Sequence, residues 1–147
     1  MKRLVLKFGG TSVGTVEKIK KVANIVKSRF SQDNEIIVVV SAMSGVTNDL
    51  KAKSDLISKN FDSKELDVLL SSGEQASCAL LSGAIIDLGI KARSWLGWQI
   101  PILTNNNYTA SQIINIKTDE VINFIKKKGI AVIAGFQGVS SEMRVNT

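Results

Sequence analysis

LVLKFGGTSVG, residues 4–14, joins a short apolar segment to a glycine pair and then to a helical pattern. Leu4 to Phe8 is long enough for a buried strand and contains one charged residue, Lys7. Glycines let a ligand approach the backbone closely, and the first N–H groups of a helix have no partner within the helix. With a lysine at the strand end, these are the parts of an anion-binding site. A plain tight turn beside an exposed lysine would give the same pattern, so this stretch alone leaves both interpretations open.

The two common phosphate-binding signatures are absent from this stretch. In GGTSVG the second glycine comes one place too early for G-x-G-x-x-G. The lysine precedes the glycines, whereas in the G-x-x-x-x-G-K-[ST] motif it follows them. The lysine is therefore carried by the strand, and the pattern argues against a P-loop NTPase and against a standard dinucleotide-binding fold.

Composition restricts the classes of protein to which this chain can belong. The 147 residues, of which 44% are hydrophobic and 22% charged, fit one globular domain without a membrane-spanning segment or a signal peptide. The net charge of +6 comes mainly from lysines that are not interleaved with aromatics, which indicates solvated helix faces rather than a nucleic-acid site. A single cysteine predicts a cytosolic setting. The lack of histidine excludes a Ser-His-Asp triad, a Cys-His pair and His-ligated zinc within the chain.

Hydrophobic patterns predict an alternation of strands and helices. Apolar residues recur at helical spacing from Val16 to Phe30 and predict an amphipathic helix. Ile36 to Val40 and Ile130 to Ala134 are continuous apolar runs, typical of parallel strands that are covered on both faces. Weaker patterns predict short strands at 90–95 and 102–104, a further alternating segment at 112–116 and a helix at 121–128.

The segment Lys64 to Leu88 predicts a helix with an interruption at Ser71 to Glu74. A glycine in a helix interior costs about 1 kcal/mol, so the sequence indicates that Gly73 has a purpose. Glu74 is expected in the first turn of a second helix, where a carboxylate is favoured. From this stretch alone, simple helix capping is the favoured explanation of these residues. Cys78 lies on an apolar helix face and is interpreted as structural.

An α/β fold with a largely parallel sheet follows from this alternation. In such sheets ligands bind outside the carboxyl ends of the strands. Three polar or glycine-rich stretches are expected at that edge: Lys7 to Ser12, Ser41 to Asn48 and Gly135 to Gly138. Their convergence favours a functional interpretation over plain turns, without naming the chemistry.

Four segments together resemble the aspartate kinase family. They are KFGGTSVG at 7–14, VVVSAMSGVTNDL at 38–50, SSGEQ at 71–75 and AGFQGV at 134–139. They occur in the order and at about the spacing of that family, and they span essentially the whole chain. The resemblance implies the amino-acid kinase fold, a three-layer αβα sandwich with a mainly parallel sheet. Residues 1–147 would be its N-terminal half, the part of the kinase domain on the substrate side.

The resemblance also implies a reaction and its participants. The expected activity is ATP-dependent phosphorylation of the β-carboxylate of L-aspartate to 4-phospho-L-aspartate, the first step toward lysine, threonine, methionine and isoleucine. ATP would be the phosphoryl donor, with Mg²⁺ held through the nucleotide and not by protein ligands. The full-length form is expected to be a cytoplasmic homo-oligomer that binds no nucleic acid and no membrane.

Seven residues match functional positions of the family. The resemblance implies that Lys7 is catalytic and contacts the transferred phosphoryl group. It also implies that the phosphates of ATP are bound by Lys7, Phe8, Gly9, Gly10 and Ser41. Aspartate contacts fall to Thr47 and Glu74, with Glu74 meeting the substrate ammonium. An aspartate carboxylate is already ionised at pH 7, so this reaction needs positioning and charge neutralisation rather than a histidine base.

One departure from the family pattern concerns the end of the sequence. After GFQGV and a short variable segment the family continues into T-T-L-G-R-G-G-S-D, whereas this sequence stops at Thr147. The arginine expected for the substrate α-carboxylate, the nucleotide half and the regulatory ACT domains are not in it, so the chain alone is expected to be inactive. Two alternatives remain: a non-catalytic fragment that associates with other subunits, and another superfamily kinase acting on glutamate, acetylglutamate or UMP. Lys7 and Glu74 argue against the second.

Overall fold

A computed structural model describes residues 2–147 and shows four helices and two four-stranded sheets. The helices are α1 (Val16–Arg29), α2 (Val46–Ile57), α3 (Ser63–Asp87) and α4 (Asp119–Lys126). The strands are β1 (Lys2–Phe8), β2 (Asn34–Val40), β3 (Ala92–Trp95), β4 (Ile102–Thr104), β5 (Ile113–Ile116), β6 (Ile130–Ala134), β7 (Gly138–Val139) and β8 (Val145–Asn146).

The larger sheet is parallel throughout, with strand order β1-β2-β6-β3. In its register Lys7 lies beside Val39, and Val39 lies beside Ile133. Because the strands are parallel and in register, β1, β2 and β6 end at the same edge. The predicted parallel α/β sheet is confirmed.

Helices cover both faces of this sheet. One face, which includes Val38 and Val132, packs against α1 and α3 in the main apolar core. The opposite face carries Ala131 and Ile133, which pack with α4 and Trp95. Side chains alternate between the two faces along a strand, so the continuous apolar runs seen in the sequence serve two cores at once. The three-layer arrangement implied by the resemblance is confirmed.

The second sheet is small and was not predicted as a unit. Its order is β5-β4-β7-β8, with β4 and β7 parallel and the other two pairings antiparallel. Strands β7 and β8 have two residues each, too few to give a hydrophobic pattern. Inside this sheet Thr104 Oγ1 donates a hydrogen bond to Asn146 Oδ1 at 2.7 Å, and both residues are buried.

Helix α3 is continuous from Ser63 to Asp87, so the predicted interruption at Ser71 to Glu74 is wrong. Gly73 is required for close packing against another segment and does not interrupt the helix. A Cβ at Gly73 would lie 2.9 Å from Ala42 Cβ and 3.2 Å from Val46 Cγ1. Gly73 therefore lets the segment after β2 lie directly against α3, and Glu74 lies in the helix interior rather than in a first turn.

Two further predictions can be compared with the described residues. No helix within residues 2–147 is long and apolar enough to cross a membrane; the cytoplasmic location stays a prediction. Cys78 is buried in the core and Sγ contacts Val132 O at 3.1 Å. Burial raises the pKa of this thiol to about 11, so it is protonated at neutral pH, in agreement with a structural role.

Candidate active site

Three loops meet at the carboxyl edge of the larger sheet. The N–H of Ser41 donates to Phe8 O at 3.2 Å, which ties the loop after β2 to the end of β1. The N–H of Gly135 donates to Val40 O at 2.9 Å, which ties the loop after β6 to the end of β2. The predicted convergence of these stretches is confirmed by their contacts.

The loop after β1 is a compact turn built on its glycines. Gly9 O accepts hydrogen bonds from the N–H groups of Ser12 at 2.9 Å and Val13 at 3.2 Å. A Cβ at Gly10 would lie 2.9 Å from Ala42 O, so only glycine allows the two loops to approach this closely. Helix α1 begins at Val16, beyond the glycine pair, so the turn itself and not the helix start lies beside Lys7.

Lys7 is exposed near the end of β1, and its ammonium lies over this turn. Nζ is 3.5 Å from the position that a Cβ would have at Gly9. No hydrogen bond or ion pair connects Nζ with another residue in the described range 2–147. A solvated ammonium without a fixed partner remains available for an anion at the turn.

Glu74 is a buried carboxylate with one unsatisfied oxygen. It is 3% exposed, and Oε1 accepts a hydrogen bond from Ala42 N at 3.0 Å. Oε2 has no hydrogen-bond partner among the described residues. Burial raises the pKa of Glu74 above its ordinary value, and the hydrogen bond from Ala42 partly opposes that change. An unsatisfied buried acceptor costs about 1–3 kcal/mol and more when charged, which marks Oε2 as a receptor for a missing donor.

Ser41 lies on the loop that Glu74 contacts, and Thr47 follows that loop at the start of α2. Thr47 is half-buried in the first turn of α2, next to Val46, which contacts the Gly73 position of α3. Ser41 is half-buried, and Ser77 Oγ donates to its carbonyl at 2.6 Å. The structure thus brings the Ser41–Thr47 segment and Glu74 together, and the roles of Thr47 and Glu74 in binding aspartate stay predictions.

A buried polar stripe on α3 holds these loops and was missed in the sequence. Asp67, Ser71, Glu74 and Ser77 are all buried. Their spacing of four, three and three residues places them on one face of the helix. From the sequence, only Ser71 to Glu74 of this stretch is singled out, as an interruption, because small and acidic residues at core positions are typical of breaks and caps.

Gln137 links the loop after β6 to this stripe. Its Nε2 donates to Ser71 O at 3.2 Å, and its Oε1 accepts from Gly97 N at 3.3 Å. A Cβ at Gly97 would lie 2.7 Å from Gln137 O, so the two segments are in close contact. The sequence placed Gly135 to Gly138 at the site edge but gave Gln137 no role.

A cavity of about 600 Å³ adjoins the loop after β6, and none of the seven predicted site residues lines it. Its floor is the face of the larger sheet that carries Ile37 and Val39, and its rim toward the carboxyl edge includes Gln137, Thr109 and Thr147. Within residues 2–147 no three Asp, Glu, Cys or His side chains gather as metal ligands.

Comparisons with known proteins give the family. A model of the Amino acid kinase family matches residues 2–147. The aspartokinase of Rickettsia prowazekii (strain Madrid E) is 46% identical over 150 aligned residues, which are 100% of this chain and 34% of the relative. The chain spans about a third of the length of the curated relatives it matches.

Solved structures agree with the fold. Aspartate kinase from Synechocystis superposes with a TM-score of 0.80 at 38% identity, over 97% of this chain and 23% of that one. Escherichia coli aspartokinase III, solved with aspartate and ADP, gives a TM-score of 0.81 over 99% of this chain and 43% of that one, and its 20% identity supports the fold alone. With a family model that matches nearly every residue and relatives that are aspartokinases, the chain belongs to the amino acid kinase family.

Proposed function

We propose that residues 1–147 form the substrate-side part of an aspartate kinase, which phosphorylates the β-carboxylate of L-aspartate with ATP. The observation that carries this proposal is Glu74, a buried carboxylate whose Oε2 lacks a partner beside the Ser41–Thr47 loop. A substrate ammonium would supply the missing donor in a charge-assisted contact. Reaching Oε2 requires a small opening of the loop, because this oxygen is not solvent-exposed in the free chain.

The phosphate side of the proposed site lies on the adjacent turn. Lys7 would neutralise the transferred phosphoryl group, and the backbone of Phe8, Gly9 and Gly10 would follow the phosphates of ATP, with Ser41 beside them. The support is geometric: Lys7 Nζ is exposed over the turn, and Ser41 is hydrogen-bonded to Phe8. Phosphoryl transfer depends mainly on positioning and on neutralising oxygen charge, which these groups can provide.

Mg²⁺ would be held through the nucleotide, as the resemblance to aspartate kinases implies. Its role when bound would be to neutralise charge on the phosphate oxygens. Thr47 and Glu74 would orient L-aspartate, with the β-carboxylate directed toward Lys7. The nucleophile is ionised at neutral pH, so no general base is required of this chain. The lysine, threonine and methionine pathway and the homo-oligomeric full-length form stay predictions.

The test of this proposal is substrate-specific kinetics of Glu74→Gln in a polypeptide that has the length of the relatives. We expect KM for L-aspartate to rise far more than KM for ATP, because the variant loses the charge that meets the ammonium. Glu65→Gln is a matched control, since Glu65 lies on the same helix but is exposed. Equal losses for both substrates, or a loss for ATP alone, would contradict the assignment of Glu74.

A second candidate function, association with another subunit without catalysis, is favoured by strand β5. All four of its residues are exposed, and Ile114 is 70% exposed at the edge of the second sheet. Apolar side chains on an open sheet edge promote pairing with another chain. A chain that associates with longer kinase subunits but binds no L-aspartate would support this alternative over the kinase proposal.

A further inference from the structure

Asp67 is a fully buried acid that neither the family resemblance nor the proposed reaction explains. Its exposure is 0%, and it lies on α3 seven residues before Glu74, on the same helix face. Carboxylates at this depth are normally paired with a cation. No salt bridge connects Asp67 with a lysine or arginine in the described part of the chain.

Hydrogen bonds from two distant segments satisfy the carboxylate instead. The N–H of Thr109 donates to Oδ1 at 3.1 Å and to Oδ2 at 2.9 Å. Thr147 donates through its N–H to Oδ2 at 3.1 Å and through its hydroxyl to Oδ1 at 2.6 Å. Ser111 N donates to Thr147 O at 3.0 Å, so the two segments are also joined to each other. Asp67 is the group on which both segments converge.

The backbone at Thr109 shows that this contact imposes a conformation. Its φ is 64°, in the left-handed region that a β-branched residue adopts only under constraint. The carboxylate of Asp67 accepts the N–H of this same residue, which is the constraint the structure provides. Local hydrogen bonds also support this turn, such as Ala110 N to Asn107 O at 3.2 Å, but within residues 2–147 the N–H of Thr109 itself binds only Asp67.

Both segments line the cavity, and Gln137 links the cavity to the helix that carries Glu74. Thr109, Ser111 and Thr147 line it together with Gln137, whose amide holds Ser71 one turn along α3 from Asp67. One helix face therefore fixes the cavity rim at Asp67 and the Ser41–Thr47 loop at Glu74. A shift of Asp67 or of Glu74 therefore changes the distance between the cavity rim and the Ser41–Thr47 loop.

We propose that this cavity adjoins the aspartate site and that Asp67 is a positioning residue, which holds residues 107–111 and strand β8 as one of its walls. This inference rests on the proposed function, because it assigns the wall to the aspartate site. Asp67 touches no reacting atom in this scheme. It acts through Thr109 and Thr147, and its charge orients their three donor groups at once.

The test compares Asp67→Asn with the wild-type 147-residue chain by amide hydrogen exchange and by NMR titration with L-aspartate. The amide of asparagine presents donors to the N–H groups of Thr109 and Thr147, so some of the four hydrogen bonds are lost. We expect exchange protection at both amides to fall about tenfold or more, and the affinity for L-aspartate to fall about tenfold.

Two further variants separate positioning from general stability. Asp62→Ala removes the N-cap of α3, which accepts from Lys64 N and Glu65 N, and destabilises the same helix without touching either segment. It should leave the affinity for L-aspartate unchanged. Thr147→Val removes only the hydroxyl bond, so it should act in the direction of Asp67→Asn with a smaller effect, even if Asp67→Asn does not fold.

Unchanged protection at Thr109 and Thr147 in the Asp67 and Thr147 variants would overturn the proposal. Lost protection with unchanged affinity for L-aspartate would overturn it too, because Asp67 would then be structural only. Absence of L-aspartate binding by the wild type is a different result: it would refute the proposed function, and the exchange data alone would then decide whether Asp67 orders the two segments.

Discussion

Replacing Glu74 by glutamine should make the free chain more stable while it removes the proposed receptor for the substrate. Glutamine keeps the length of the side chain and an oxygen that can accept from Ala42 N, which lies 3.0 Å from Oε1. Loss of the charge weakens that hydrogen bond by about 1 kcal/mol. It also exchanges an unpaired ionised oxygen for an unpaired neutral amide NH2, whose burial costs about 1–3 kcal/mol, less than that of a charged group. The balance favours glutamine by about 1 kcal/mol, or about 2–4 °C in Tm for a chain of this size.

The pH dependence of this gain has a defined sign. The folded-state pKa of Glu74 is raised above its ordinary value of 4.5, so the folded chain binds the proton more tightly than the unfolded chain. The cost of ionising Glu74 is therefore complete above the folded-state pKa, decreases as the pH falls, and vanishes below 4.5. The Tm difference between variant and wild type should be largest at neutral pH and should decrease on acidification.

Thermal unfolding of both proteins, followed by circular dichroism across this pH range, measures the effect. Glu74→Ala is the contrasting variant, because it leaves Ala42 N without an acceptor and opens a void, and it should lose about 2–4 kcal/mol. A glutamine variant that is less stable than the wild type at neutral pH would refute the reasoning, since Oε2 would then have a partner in the free chain.

Three other predictions concern packing, catalysis and association. Gly73→Ala should destabilise the chain by about 1–3 kcal/mol, because the new Cβ would lie 2.9 Å from the side chain of Ala42. Gly83→Ala on the same helix should stabilise it by up to about 1 kcal/mol, because a Cβ there meets nothing within 4 Å. Equal effects of the two substitutions in chemical denaturation would contradict this account. Lys7→Ala in a polypeptide of the relatives' length should lower kcat about a hundredfold or more with little change in Tm, and Lys2→Ala on the same strand should leave kcat near normal. The 147-residue chain alone should release no ADP with L-aspartate and Mg-ATP, and aspartate-dependent turnover by a monomer would disprove this prediction. The chain should self-associate in size-exclusion chromatography, and Ile114→Lys should reduce the self-association.

The strands and helices of the larger sheet could be predicted because their patterns are long and apolar. Ile130 to Ala134 was predicted with its observed bounds, since a continuous run is the signature of a strand covered on both faces. Glu74 was found by motif, but its place inside an unbroken helix was not. Ser and Gly on a helix disfavour it by local propensity, and only the contact of Gly73 with Ala42 explains why they are there.

The second sheet and Asp67 could not be predicted for a related reason. Strand pairs of two residues have no period, and a buried acid without a cation has no sequence signature. Thr109 and Thr147, which donate hydrogen bonds to Asp67, are far from it along the chain. Long-range polar contacts of this kind appear only once the fold has placed the loops.

The ammonium-receptor role of Glu74 is the central claim, and a binding comparison of L-aspartate with succinate tests it most directly. Succinate has both carboxylates of aspartate and lacks only the ammonium. Titrations of the 147-residue chain, read at the NMR signals of Ala42 and Thr47, should show binding of L-aspartate at least about tenfold tighter than that of succinate. In Glu74→Gln that preference should disappear. Equal affinities in the wild type, or a preference that survives in the variant, would contradict the account.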